Sequence, residues 1–270
     1  MSTRRPLEGR TVVVTRAAEQ ARALSRLLED AGARVLEVPT IAIEPPPSWE
    51  PLDRALDDLA AFDWVVFTSV NAVRQVQARL RERRSGWEVL RTRRVAAIGP
   101  ATAAALAEHG VAAAVTPGEY VAEALLRRLA PVIRPGERVL LPRAAGARDV
   151  LSAGLRELGA EVVEVPAYVT RPATERAGRL REALAGGHVD VVTLTSSSTA
   201  RGLAEALSPD ERRRWLGAVT VAAIGPITAA AAARYGLRAD IIPREYTIPG
   251  LAAAIVEYFE RRTAEGRVRA

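Results

Sequence analysis

The sequence predicts an internally duplicated α/β protein, each half a parallel sheet whose strands end in small, hydroxyl-rich turns. Three observations carry this. The chain repeats itself: Thr15-Arg16-Ala17-Ala18 is answered by Pro142-Arg143-Ala144-Ala145, an offset of 143 − 16 = 127. That offset persists through Gly32-Ala33 and Gly159-Ala160, Glu37-Val38-Pro39 and Glu164-Val165-Pro166, Pro45 and Pro172, Asp63 and Asp190, and Thr68-Ser69 and Thr195-Ser196. One residue then drops out, and VAAIGP at 95–100 recurs at 221–226, with Thr102 and Thr228, Gly110 and Gly236, and Tyr120 and Tyr246 in step. Secondly, short continuous apolar runs alternate with helical stretches, as expected where helices cover both faces of a parallel sheet. Thirdly, those runs lead into Ser, Thr and Gly, the residues that start helices.

In chain order, the expected strands are 11–15, 64–68, 94–98 and 112–116, then 138–142, 190–195, 219–224 and 239–242. Between the first helix and the next core strand each half carries an extended segment bounded by prolines, 38–45 and 165–172. Proline at both ends disfavours helix, and β-branched residues favour extended chain. If the two segments run antiparallel as a two-stranded bridge, the chain crosses twice and one domain is discontinuous. The whole reads as a flavodoxin-like or related doubly wound arrangement.

Composition narrows the chemistry. A chain of 270 residues, 49% apolar and 26% charged, is long enough for two cores. It has no cysteine and only two histidines, His109 and His188, which excludes disulfides, thiolate catalysis, Cys/His zinc sites and histidine triads; no metal is expected. All 38 basic residues are Arg, which removes the P-loop lysine and Schiff-base lysines. The net charge of +6 does not point to nucleic acid, because only 4% of residues are aromatic and the arginines are dispersed. A mild positive field does favour an anionic small molecule. Residues 1–16 lack an apolar leader core, and no apolar run approaches about 18 residues, so the expectation is a cytoplasmic chain with no membrane partner. The arginine-containing end, 261–269, is expected to fray.

In an open parallel sheet, ligands bind beyond the carboxyl ends of the strands, where helix N-termini present unpaired N–H groups. Here those ends are Thr15-Arg16, Thr68-Ser69-Val70-Asn71, Ile98-Gly99-Pro100-Ala101-Thr102, Pro142-Arg143, Thr195-Ser196-Ser197-Ser198-Thr199 and Ile224-Gly225-Pro226-Ile227-Thr228. Two readings stand side by side: helix caps that any α/β protein requires, and two matched sets of anion-binding turns facing a common cleft. Arg16 and Arg143 are either carboxylate clamps or surface ion pairs. Symmetry fails at Tyr168, which takes the slot that Ile41 fills in the first half. A phenol there either donates a proton or packs its ring with the hydroxyl in water.

The chain resembles the uroporphyrinogen-III synthase family. The matching elements are VVVTR at 12–16, FTSVNAV at 67–73, VAAIGPATAAAL at 95–106, RVLLPRA at 138–144, VPAYVTRP at 165–172, LTSSST at 194–199 and VAAIGPITA at 221–229. The resemblance implies two flavodoxin-like domains, residues 1–37 with 174–270 and residues 46–164, joined by linker strands 38–45 and 165–173. It implies cyclisation of the linear tetrapyrrole hydroxymethylbilane to uroporphyrinogen III, with loss of water and inversion of ring D, in tetrapyrrole biosynthesis and without a cofactor.

That chemistry suits what the chain lacks, since the pyrrole itself is the carbon nucleophile. Tyr168 matches the tyrosine proposed in the family as general acid. Arg16, Thr68, Ser69, Asn71, Ile98, Gly99, Thr102, Arg143, Ser196, Ser197, Ser198, Ile224, Gly225 and Thr228 fall on the turns implied to hold the substrate's acetate and propionate groups. Ala17 and Ser197 stand where the family commonly has proline. The implied partners are the small-molecule substrate and a transient handover from hydroxymethylbilane synthase, with the chain a monomer. The alternative is a non-catalytic module sensing an anionic tetrapyrrole; no attached DNA-binding segment is visible to go with it. A nucleotide-binding reading lacks G-x-G-x-x-G, a P-loop and an acidic ribose clamp.

Overall fold

The computed structural model describes residues 5–147, 149–173 and 177–268, with side chains through 262. Its strands are β1 Thr11–Val14, β2 Arg34–Glu37, β3 Ile41–Glu44, β4 Trp64–Phe67, β5 Arg94–Ala97, β6 Arg138–Ala144, β7 Glu161–Pro172, β8 Val191–Leu194 and β9 Thr220–Ala223. They form a four-stranded sheet in the order β2-β1-β8-β9 and a five-stranded sheet in the order β3-β7-β6-β4-β5. The pairs β1/β2, β1/β8, β8/β9, β4/β5, β4/β6 and β6/β7 are parallel, which requires the helical crossovers between them. The chain divides into two compact units, Met1–Ala42 with Arg171–Ala270, and Ile43–Thr170. The boundary near residue 174 that the resemblance implies lies outside the described residues, as does residue 269 of the arginine-containing end. Residues 248–268 are helical.

The central strands of each sheet are buried on both faces, and their side chains alternate between two cores. Val12 and Val14 pack with Leu24, Leu28 and Ile255 on one side, while Val13 packs with Val192, Leu194 and Leu203 on the other. In the second unit Val65 and Phe67 join Val73, Leu106 and Leu140, while Trp64 and Val66 join Leu125, Leu129 and Leu155. A short run of apolar residues without polar alternation is what such double coverage demands.

The two sheets share their fastenings. Asp190 Oδ2 accepts the Thr11 N–H at 2.8 Å in the first unit, and Asp63 Oδ2 accepts the Arg138 N–H at 2.9 Å in the second. Each ties the start of one strand to its neighbour. In the first unit the helix Ser197–Ala206 lies so close to the chain at Thr40 that a Cβ on Gly202 would stand 2.4 Å from the Thr40 carbonyl oxygen.

The strands expected at 112–116 and 239–242 reduce to single bridges, Ala96 with Val115 and Ala222 with Ile241. Pro117 and Pro243 follow two residues later and stop the pairing, because proline offers no N–H to a ladder. Two stretches of strand were not expected, β2 and the beginning of β7. Both are flanked by charge, Arg34 and Glu37 in one and Glu161 and Glu164 in the other, which hides them from an apolar-run criterion.

Candidate functional site

In the second unit, the chain leaving β4 passes through half-buried Thr68 to Ser69, which caps the helix Val70–Glu82 by accepting the Ala72 N–H at 3.1 Å. The cap holds the Ser69 hydroxyl at the strand end, and there it meets the Tyr168 phenol at 3.0 Å. Asn71 also hydrogen-bonds that phenol. Tyr168 is only 6% exposed. Burial pushes its pKa above the ordinary phenol value, against the opposing pull of Ser69, Asn71 and the Arg143 charge. The group therefore holds its proton throughout the neutral range.

A bulge aims the tyrosine. β6 and β7 run in register from Arg138 with Glu161 to Arg143 with Pro166, and then Ala144 pairs with Tyr168, so Ala167 is an extra residue on β7. Successive strand residues normally face opposite sides. Here Ala167 and Tyr168 are both buried in the same core, and the shift turns the phenol toward Ser69. The Ala145 N–H donates to the Tyr168 carbonyl at 2.8 Å and fixes the backbone beyond the bulge.

Arg143 occupies a different setting from the strand-end turn anticipated. β6 continues through it to Ala144, and its buried guanidinium pairs with Glu164 of β7, with Ser152 Oγ at 3.4 Å and Asp149 at 3.7 Å. An arginine so placed is an internal brace beside Tyr168, buried where a surface ion pair was the alternative. Burial disfavours the charged form of Glu164, yet the Arg156 hydrogen bond, the Arg143 charge, Ser152 and the Arg156 charge outweigh it and hold the carboxyl below its ordinary value. A depressed carboxylate pKa contributes stability that is complete above about pH 4.5 and lost as pH falls through the folded-state pKa. The melting temperature of the native protein should therefore fall more steeply than that of Glu164→Gln from about pH 5 to about pH 3. Parallel curves in a thermal-denaturation series would show that Glu164 carries no such linkage.

Gly99 and Gly225 cap the helices Pro100–Ala107 and Pro226–Ala233 in extended conformation, so their backbone angles do not demand glycine. Space does. A Cβ on Gly99 would stand 3.0 Å from Tyr120 Cγ, and one on Gly225 3.2 Å from Tyr246 Cγ. The repeated tyrosines thus seal the turns. The Ile98 and Ile224 N–H groups donate to Phe67 and Leu194 carbonyls at 3.0 and 2.8 Å, which commits those N–H groups to the sheet. Thr102 and Thr228 are buried in the first turns of their helices.

In the first unit, Ser196 caps the helix Ser197–Ala206 through a reciprocal box with Thr199, whose hydroxyl also receives the Thr195 N–H at 3.0 Å. Ser197 is exposed and Ser198 half-buried in that first turn. The Ser196 hydroxyl belongs to the cap, while Ser197 faces solvent. Half-buried Arg16 follows β1 and donates to Gln20 Oε1 at 3.0 Å. Thr15 is buried and donates to the Thr193 carbonyl at 2.5 Å, a pin between β1 and β8.

Sequence reasoning did not single out Glu164 or Ser152. A signal existed, since Arg16, Ser25 and Glu37 recur as Arg143, Ser152 and Glu164 at the 127-residue offset, and Ser25 Oγ donates to Glu37 Oε1 at 2.5 Å.

Among the described residues, no group of His, Asp or Glu is arranged to hold a metal, and no helix is long and apolar enough to cross a membrane. Two α/β units with doubly covered parallel sheets, whose strands end in capped helix starts, define a two-unit protein of the doubly wound class. A profile of the family described as Uroporphyrinogen-III synthase HemD matches residues 22–253. The uroporphyrinogen-III synthase of Synechococcus elongatus is 36% identical over 96% of this chain and 98% of its own length, and that of Chlorobaculum parvum is 32% identical over 92% and 98%. Solved structures of the Thermus thermophilus and Helicobacter pylori enzymes share the fold, with TM-scores of 0.66 and 0.61 at 22% and 17% identity, covering 95% and 92% of this chain and 99% of each of theirs.

The chain belongs to the uroporphyrinogen-III synthase family. It is accordingly an enzyme of the cyclising lyase type, working in porphyrin biosynthesis. Relatives that match along almost their entire length carry the synthase name, which leaves the sensing-module alternative without support.

Proposed function

We propose that the chain converts hydroxymethylbilane to uroporphyrinogen III and that Tyr168 is its general acid. The observation that supports this reading is the buried phenol itself, kept protonated and held by Ser69 and Asn71 at the end of β4. As the hydroxymethyl C–O bond breaks, the phenol proton leaves with the hydroxyl as water, and the pyrrole nitrogen's electrons form an azafulvene. Ring D attacks it through its substituted carbon to give a spiro intermediate. Fragmentation and reclosure at the other α-carbon invert the ring, and the proton lost on restoring aromaticity balances the one Tyr168 gave. No external nucleophile or cofactor enters this sequence.

Most of the acceleration lies in positioning, because a flexible polyanion must be folded so that the substituted carbon reacts. Arg16, Thr68, Ser69, Asn71, Gly99, Thr102, Ser196, Ser197, Ser198, Gly225 and Thr228 lie on the turns that would receive carboxylates. Ser197 is exposed and Ser198, Thr68 and Asn71 are half-buried, so these residues keep surface that a carboxylate could reach. Arg143 acts from behind, through the charge it places near the phenol. Direct handover of the substrate from hydroxymethylbilane synthase to a monomer in the cytoplasm fits this reading.

The strand orders support an origin by internal duplication with exchange. By the 127- and 126-residue offsets, β2-β1-β8-β9 corresponds to β7-β6-β4-β5, each sheet drawing strands from both halves, with β3 and β7 as the two-stranded link. The test of function is an assay with freshly prepared hydroxymethylbilane, in which the uroporphyrin isomers are separated after oxidation. Isomer III should dominate; isomer I alone, as in the uncatalysed blank, would end the proposal.

A further inference from the structure

In the first unit a cavity of about 560 Å³ opens at the amino-terminal end of β9, lined by Arg212, Arg213, Gly217, Tyr235 and Arg238 among others. It lies at the opposite end of that strand from the Gly225 turn, away from the groups assigned to substrate. The equivalent place in the second unit, 126 residues earlier, is filled. There Trp87 stacks on His109 with ring centroids 4.8 Å apart and planes 4° from parallel. Arg91 crosses the gap and donates to the His109 carbonyl from Nε at 3.3 Å and Nη2 at 3.0 Å, coming within 3.1 Å of where a Cβ on Gly110 would stand.

In the first unit Arg213 replaces Trp87, Gly217 replaces Arg91 and Tyr235 replaces His109. The lower ring is retained and both parts of the plug are gone. A Cβ on Gly236, the counterpart of Gly110, would meet nothing within 4 Å. The surroundings are otherwise alike: Leu216 is buried as Leu90 is, and the Asp240 N–H donates to Val221 as the Ala114 N–H donates to Val95.

We propose that this cavity binds a planar aromatic carboxylate, with its ring on Tyr235 in the place that Trp87 takes on His109 and its charge on Arg213 and Arg238. Arg213 is paired with Asp210 on a largely exposed surface, an arrangement readily exchanged for a better acceptor. Arg212 is anchored to the Ala204 and Leu207 carbonyls and forms wall. Asp240, the lining carboxylate, accepts the Val221 N–H at 2.9 Å, which ties its charge into the sheet. The volume lies within the range of small-molecule sites, and a flat ring with one carboxylate satisfies both the stacking surface and the guanidinium geometry.

The probe is 2-naphthoate, titrated into the full chain by calorimetry. One equivalent should bind saturably, and Tyr235→Ala and Arg238→Ala should each weaken binding about tenfold, the loss expected for one stacked ring or one charged contact. Rebuilding the plug with Arg213→Trp and Gly217→Arg should abolish binding, while turnover of hydroxymethylbilane stays at the native level in every variant. Absence of saturable binding to the native chain overturns the proposal, as does affinity that survives the rebuilt plug. Should the plugged variant fail to fold, unchanged affinity in Tyr235→Ala overturns it equally.

Discussion

Tyr168→Phe should lower turnover by about one to two orders of magnitude, the contribution usual for a positioned general acid, and should raise the share of isomer I in the product. The expectation rests on the bulge. Because Ala167 is inserted opposite Arg143 and Ala144, the ring at 168 is buried and its hydroxyl alone reaches the Ser69 cap. Phenylalanine keeps the buried ring and removes only the oxygen, so the melting temperature should change little while kcat falls and KM holds. Isomer I rises because slower turnover leaves more free hydroxymethylbilane to lose water and close directly in solution. The measurements are steady-state turnover and the isomer ratio after oxidation. Native values of both in the variant would remove Tyr168 as the acid while leaving the family assignment intact.

Gly202→Val should destabilise the first unit by about 3 kcal/mol, the upper end for an overpacked site. The obstruction is backbone: besides the Thr40 carbonyl oxygen at 2.4 Å, an added Cβ would meet Ile41 Cγ2 at 2.9 Å and the Thr40 carbonyl carbon at 3.0 Å. That stretch cannot retreat, since the Thr40 hydroxyl reaches the Thr15 and Thr199 carbonyls and the Thr40 carbonyl accepts the Ala173 N–H. Gly154→Ala is the contrast. Its Cβ would press on Leu126 Cδ2, the free end of a mobile side chain, which can rotate aside, so the loss should stay below about 1 kcal/mol. Thermal unfolding of the two variants tests the difference; equal losses would mean that the Thr40 segment yields as easily as a leucine methyl.

The core strands were legible because each is built on a short, largely apolar run, and the site turns because they repeat. What escaped was everything set by pairing. β2 and the first residues of β7 carry charge at both ends, and nothing in their own composition says strand until neighbours cover them. Arg143 reads as the last residue before a turn; only the register of β6 against β7 reveals Glu164 beside it. Tyr168 was singled out by its mismatch with Ile41, yet the direction of its side chain depends on an extra residue opposite Arg143, which spacing alone cannot disclose. At Gly99 and Gly225 the close neighbour is a tyrosine ring from a later turn, Tyr120 and Tyr246, which no local pattern discloses.

The interleaved strand order sets a schedule for synthesis. β1 hydrogen-bonds β2 on one side and β8 on the other. When Ala42 leaves the ribosome, β8 has not been made, and the intervening unit, 43–170, must first emerge whole. At about 5–20 residues per second that interval is on the order of ten seconds. Throughout it the Val12–Val14 stretch has one edge without its partner, the condition under which strands pair wrongly with other chains. Meanwhile the second unit, made of one continuous stretch, can close without waiting. The nascent chain thus completes its phenol-bearing unit first and must shelter its own beginning until the end arrives.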